Sequence, residues 1–222
     1  MIFSVSTAPI RSMSDAVAAL QTAAIGHSEV LHIDHDRMLR DYGCLWMLVR
    51  CSVRLSRLPE HAAHIETFLR RPTATASIRD HTIFDGDEAV GTAVQLWALV
   101  DAEKRRIVNL KHIDCLWSLP TPEPERTEQP KRLVLPDALT PAAQWTVLPA
   151  EIDSNGHLNN VNYIRHSERL APAGCNALDV QFDRECFAGE TLQLETAPGF
   201  FVRGVKETGE VSFRLRLWRD DT

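Results

Sequence analysis

The feature that most constrains this chain is an order of elements that occurs twice, once on each side of a proline-rich stretch. Its clearest member runs from Leu45 to Leu55, where Leu45, Met47, Val49, Cys51, Val53 and Leu55 alternate with Trp46, Leu48, Arg50, Ser52 and Arg54. Residues two apart share a face of a strand, so this spacing predicts a long strand with one face buried. Ahead of it, residues 1–6 lean apolar, and Ser14 to Ala24 read as a buried helix with a serine cap. Behind it, strands are predicted at 64–70, at 74–84 closed by Asp85-Gly86, and at 89–101, the last apolar on both faces and therefore central. Between 118 and 142 stand Pro120, Pro122, Pro124, Pro130, Pro136 and Pro141, which is linker chemistry. Then the order returns: a strand near 143–149, a helix near 158–169, and strands near 177–186, 190–197, 199–206 and 210–218. The expectation is an α+β chain of two related halves, 1–118 and 143–222, joined by 119–142, with one antiparallel sheet wrapped around one helix in each half.

The halves differ at the turn before the helix. In the second, residues 153–163 read Asp-Ser-Asn-Gly-His-Leu-Asn-Asn-Val-Asn-Tyr. Asp153, Asn155 and His157 place a carboxylate, an amide and an imidazole at every second position of a glycine-softened turn. A helix beginning near Leu158 would aim its unpaired N–H groups at the same point, a suitable place for a carbonyl oxygen that gains negative charge. The plainer alternative is a helix N-cap with polar neighbours. The corresponding stretch of the first half, Thr7 to Met13, has neither the Asn nor the His, so one half is expected to carry the chemistry and the other to bind.

Composition narrows the classes. The formal net charge of −6 disfavours nucleic acid as the main partner. No apolar run approaches the ~20 residues a membrane-spanning helix needs. The first residues lack the features of a leader, which predicts a cytoplasmic protein. Five cysteines with no Cys-x-x-Cys spacing argue against disulfides and zinc; His61 and His64 have no third ligand in motif spacing, and His32 and His35 flank Asp34 on what reads as an ordinary loop. No phosphate-binding or dinucleotide motif is present, so no cofactor is expected.

The run from Asp153 to Tyr163, followed by Glu168, resembles the signature Asp-x-Asn-x-His-x-Asn-Asn-x-x-Tyr of the plant and bacterial acyl-acyl-carrier-protein thioesterases. Asp183-Arg184-Glu185-Cys186 resembles that family's Arg-Glu-Cys strand, and Trp46 to Arg50, Arg79-Asp80 and Trp97 to Asp101 fall in its order. The resemblance implies a double hotdog fold and hydrolysis of an acyl thioester carried by acyl carrier protein on phosphopantetheine. It implies catalytic roles for Asp153, Asn155, His157 and Glu185, with Glu185 activating water, and an acyl chain held largely in the first hotdog. Val17, Leu20, Trp46 and Leu48 are then candidates for its lining, and equally for plain core. A carrier protein of this kind is acidic, so docking would use basic clusters such as Lys104-Arg105-Arg106 or Lys131-Arg132; a homodimer is also open.

Two alternatives stay open at this level. Cys186, with His157 and Asn155, would permit a covalent route through sulfur. Strand periodicity favours Cys186 over Glu185, since Leu178, Val180, Phe182, Arg184 and Cys186 share the more apolar face, unless a bulge breaks the alternation. Among functions, the rivals are an acyl-CoA thioesterase, a hotdog hydratase or dehydratase, and a non-catalytic carrier-binding module. The hydratases carry Asp-x-Asn-Pro-x-His, one residue longer than Asn155-Gly156-His157.

Overall fold

The computed structural model of the chain describes residues 1–121 and 128–220; Pro122 and Pro124 lie outside them. The first half runs β1 (Phe3–Pro9), α1 (Met13–Val30), α2 (His35–Tyr42), β2 (Cys44–Leu55), β3 (Ala62–Leu69), β4 (Ser77–Asp85) and β5 (Glu88–Asp101), followed by the short α3 (Asp114–Trp117). The second runs β6 (Thr140–Thr146), α4 (Asn160–Glu168), β7 (Ala177–Phe182), β8 (Thr191–Ala197), β9 (Phe201–Lys206) and β10 (Val211–Trp218). All pairings are antiparallel, and the ten strands form one sheet in the order β1-β3-β4-β5-β2-β7-β10-β9-β8-β6. Each half thus repeats one internal order, and the two sheets meet edge to edge where Cys51 pairs with Val180 and Val53 with Leu178. The prolines suit the two outer edges: Pro9 ends β1 and Pro141 lies in β6, where a missing N–H faces no neighbour.

Helices α1 and α4 pack against one another. One apolar core joins them to the sheet, including Val17 and Leu20 of α1, Ile164 of α4, Leu48 and Val53 of β2, and Phe213 and Leu215 of β10. Burying side chains of this size contributes about 1.5–3 kcal/mol each. A second cluster, Ile33, Met38, Cys44, Leu99, Leu110 and Leu116, lies under α2. That helix was not expected; Asp34 caps it by accepting from Arg37 N at 3.0 Å, and Gly43 closes it in the left-handed region at φ 63°. Helix α1 is capped by Ser12 rather than Ser14 and continues past Ala24 to Val30. A residue of the other half also holds its start: Glu168 Oε1 accepts from Met13 N at 2.6 Å and Ser14 N at 3.1 Å.

Two strands depart from the predicted alternation. In β2 the buried residues are Cys44 and Leu48, then Cys51, Val53 and Leu55, because the register with β5 slips between Leu48 and Arg50. Val49 is the extra residue of a bulge, which flips the parity and leaves Leu45 and Met47 half-buried. Strand β7 ends at Phe182, not 186: Asp183 N and Arg184 N both donate to Ser212 O, at 2.7 and 2.9 Å, so two residues face one and the alternation stops. The proline-rich stretch lies near the seam of the sheet, where Arg50 Nη1 donates to Pro130 O at 3.4 Å and Leu133 N to Gln181 Oε1 at 3.2 Å.

Candidate active site

The connection between strand and helix is residues 10–12 in the first half and residues 147–159 in the second. The longer connection is built around its own polar groups. Asp153 Oδ1 accepts from Asn155 N at 2.8 Å and His157 N at 3.3 Å, Asp153 N donates to His157 O at 2.8 Å, and Gly156 takes φ 80° as the turn requires. The Asp153 carboxylate therefore folds back to fix the turn, while the Asn155 side chain is exposed.

His157 projects from this turn to Glu185, with Nε2 3.5 Å from Oε2 and side chains 22% and 31% exposed. The bulge after β7 makes this possible: freed from alternation, Glu185 turns outward to His157 while Cys186 turns into the core. Glu185 also forms an ion pair with Arg105, which reaches over from the turn after β5 in the first half. Its backbone carbonyl accepts from Lys206 Nζ at 2.8 Å, and Lys206 in turn pairs with Glu190 at 2.9 Å. The Phe187 ring stands edge-on to His157 at 5.2 Å and is 44% exposed.

Cys186 is fully buried, 3.0 Å from Ser212 Oγ and beside the Tyr163 phenol. Burial pushes its pKa up, which keeps sulfur in the thiol form rather than the nucleophilic thiolate. Burial likewise raises the Tyr163 phenol, so it stays protonated. Tyr163 packs edge-on against Trp145, Phe182 and Phe213, a structural position. Asn159 is the cap of α4, accepting from Val161 N at 3.0 Å. Its presence moves the helix start to Asn160 and overturns one expectation: Leu158 N donates to Cys186 O, Asn159 N to Glu151 O and Asn162 N to Asn159 O, so these N–H groups are taken and do not point at a substrate oxygen.

Of the residues expected to line an acyl chain, Val17, Leu20 and Leu48 lie together in the closed core between α1 and the sheet. Trp46 does not join them; it packs against the cluster under α2 and donates from Nε1 to Ile33 O at 2.7 Å. The expected docking clusters are partly spent on ion pairs, Lys104 with Asp101, Arg105 with Glu185 and Lys131 with Glu128. Arg105 and Lys206 were missed as members of the site. Arg105 was assigned to a surface cluster, and Lys206 carries no motif. Among the described residues no helix is long and apolar enough to cross a membrane.

The repeated order of strands, each half with a helix against its sheet, defines the class as a double hotdog. Solved structures share it: an acyl-ACP thioesterase from Bacteroides thetaiotaomicron at a TM-score of 0.82 and 20% identity, covering 97% of this chain and 96% of that one. A 12:0-ACP thioesterase from Umbellularia californica follows at 0.77 and 17% identity, covering 97% and 96%. A MaoC-like dehydratase from Phytophthora capsici reaches 0.52 at 16% identity, covering 79% and 72%. No curated protein matches the chain. Residues 5–113 match the family model of the acyl-ACP thioesterase N-terminal domain.

Proposed function

We propose that the chain hydrolyses acyl thioesters of acyl carrier protein, releasing free fatty acid in the course of fatty acid biosynthesis in the cytoplasm. The observation that carries the reading is the pairing of His157 with Glu185 at 3.5 Å on a part-exposed surface, with Arg105 fixing the carboxylate. Water between the two gives a proton to the Glu185 carboxylate as its oxygen adds to the thioester carbon. The Asn155 amide, exposed at the turn, donates to the oxyanion so formed. Collapse of the tetrahedral species breaks the C–S bond, and the leaving sulfur is protonated through His157, to which Glu185 passes the proton it took from water, so both groups return to their starting state. Asp153 acts by holding the turn. The acyl chain enters between α1 and the sheet of the first half, displacing the closed packing of Val17, Leu20 and Leu48, and no metal or cofactor takes part.

The burial of the Cys186 thiol favours direct attack by water over a sulfur-bound intermediate. Glu185→Ala should remove most free-thiol release from acyl carrier protein thioesters, and Cys186→Ala should retain most of it. Trapping an acyl adduct on Cys186 by mass spectrometry of a quenched reaction would overturn the water route. Thiol release also separates hydrolysis from hydration, which liberates none. Comparing carrier-protein with coenzyme A thioesters at low salt, before and after neutralising Lys104 and Arg106, tests the partner.

A further inference from the structure

The interior of the first half is not a plain hydrocarbon core. On the face of the sheet that α1 covers, Arg79 and His81 of β4 and Gln95 of β5 meet His27 of α1, and all four are exposed by 3% or less. Arg79 Nη1 lies 2.6 Å from His27 Nδ1, and Nη2 donates to Ser28 Oγ at 3.0 Å. A guanidinium only donates, so His27 Nδ1 accepts and its proton sits on Nε2, which has no partner among the described residues. His81 Nε2 lies 3.2 Å from Gln95 Oε1, which only accepts, so His81 Nδ1 is left with a bare lone pair. Gln95 Nε2 has no partner in hydrogen-bond geometry among the described residues, though it lies close to the Cys51 thiol.

Charge makes the cluster stranger still. The hydrogen-bond partners of Arg79 are an imidazole and the hydroxyls of Ser28 and Thr67, with no carboxylate among them. Burial draws its pKa down to about 9, which still leaves a cation at neutral pH. A buried cation without a counter-ion is costly. The neighbouring residue on the other face of β4 shows the contrast: Asp80 is bound by Arg70 through two bonds of 2.6 and 2.7 Å, both side chains 3% exposed. The first half pairs a buried arginine with a carboxylate where the role is structural, whereas the hydrogen-bond partners of Arg79 among the described residues are all neutral.

Position completes the case. Arg79 pairs with Gln95, Gln95 with Cys51 and Cys51 with Val180, one row across β4, β5, β2 and β7. Three interstrand spacings are about 14 Å, and β7 leads directly into Glu185. The row thus ends at Val180, five residues ahead of Glu185, on the strand that leads to the second half's polar rim. We propose that the cluster of His27, Arg79, His81 and Gln95 receives the far end of the acyl group, and that the preferred substrates carry an oxygen function there, a carboxylate above a hydroxyl above a methyl. A carboxylate accepts hydrogen bonds from His27 Nε2 and Gln95 Nε2 and neutralises Arg79; a hydroxyl can also donate to His81 Nδ1. The proposal rests on the thioesterase reading of the His157 and Glu185 site.

The test compares free-thiol release from medium-chain thioesters of one length ending in carboxylate, hydroxyl or methyl. Alongside it, the thermal shift produced by a free medium-chain carboxylate is compared with that of its methyl ester, a readout that needs no turnover. The expected result is a kcat/KM for the carboxylate-ended substrate about 10- to 100-fold above the methyl-ended one, the range for hydrogen bonds to charged groups. Arg79→Met should erase both that preference and the excess thermal shift. If that variant does not fold, Gln95→Leu serves in its place. Equal turnover of the three substrates with equal thermal shifts, or a preference that survives loss of Arg79, overturns the proposal while leaving the hydrolase reading intact. Absence of thiol release with an Arg79-dependent shift does the reverse, and where the two readouts disagree the thermal shift decides.

Discussion

The two halves share one strand order and differ in where they keep their polar groups. The first has a three-residue step from β1 to α1, an 18-residue helix, and its unusual histidines and arginine sealed inside. The second has a long turn, a helix of 9 residues, and a histidine and a glutamate left part-exposed at its rim. The fold does not dictate chemistry; loop length and the bulge after β7 do. A short connection cannot place an imidazole opposite the end of β7, whereas residues 147–159 can, and the chain spends their polar groups on holding that turn.

The largest way to break the contrast is at His157. His157→Ala should lower thiol release by about 10²–10⁴ while leaving the unfolding midpoint within experimental error, as measured by steady-state turnover and denaturant titration. Unchanged turnover would remove the chemical distinction between the halves.

The next concerns acid. Burial holds His27 at about 4 and His81 at about 3, below the ordinary histidine value of 6.5, with Arg79 the second cause for each. Their folded forms are neutral and their unfolded forms take protons below about 6.5, so the unfolded state binds more protons as pH falls. Stability should be level on this account above pH 6.5 and decline from there toward pH 4, by up to about 1.4 kcal/mol per pH unit for each histidine. Urea unfolding between pH 7 and pH 4 measures it, and His81→Gln should flatten the slope.

A matched pair of glycines sharpens the comparison further. A Cβ on Gly91 in β5 would collide with Leu55 and the Arg54 carbonyl, and one on Gly204 in β9 with the Phe213 ring. Each change to Ala should cost about 1–3 kcal/mol. Gly91 should be the worse, since it meets backbone, which cannot rotate away. The smallest effect is expected for Glu168→Gln, which weakens a carboxylate cap on α1 by about 0.5–1 kcal/mol and should leave thiol release from the other half nearly unchanged.

Much of this arrangement was legible beforehand. Spacing of apolar residues located every long strand, and Asn155-Gly156 announced the turn, because both are local rules. What failed to show were events between strands. Nothing in the alternation of Leu45 to Leu55 marks Val49 as a bulge, since the slip is a property of its register with β5. Periodicity favoured Cys186 over Glu185 and could not show the bulge that turns Glu185 toward His157, because that bulge rests on two N–H groups sharing Ser212 O. Arg105 read as surface charge because the residue it meets is distant in sequence. Within the Asp153 to Glu168 run, Asn159, Tyr163 and Glu168 serve capping and packing. A motif records what must be kept, and structural needs are kept as firmly as catalytic ones.

The seam between β2 and β7 has a consequence for synthesis. Strand β2 gains β5 as soon as residue 101 has emerged, but its other edge waits for β7, which ends at Phe182. At ~5–20 residues per second that delay is on the order of 4–16 s on the ribosome. For that interval a nascent first half offers a long, bare row of backbone donors and acceptors to any neighbouring nascent chain. Ser52 and the charged Arg50 and Arg54, alternating along this edge, are then the guard against pairing with the wrong partner.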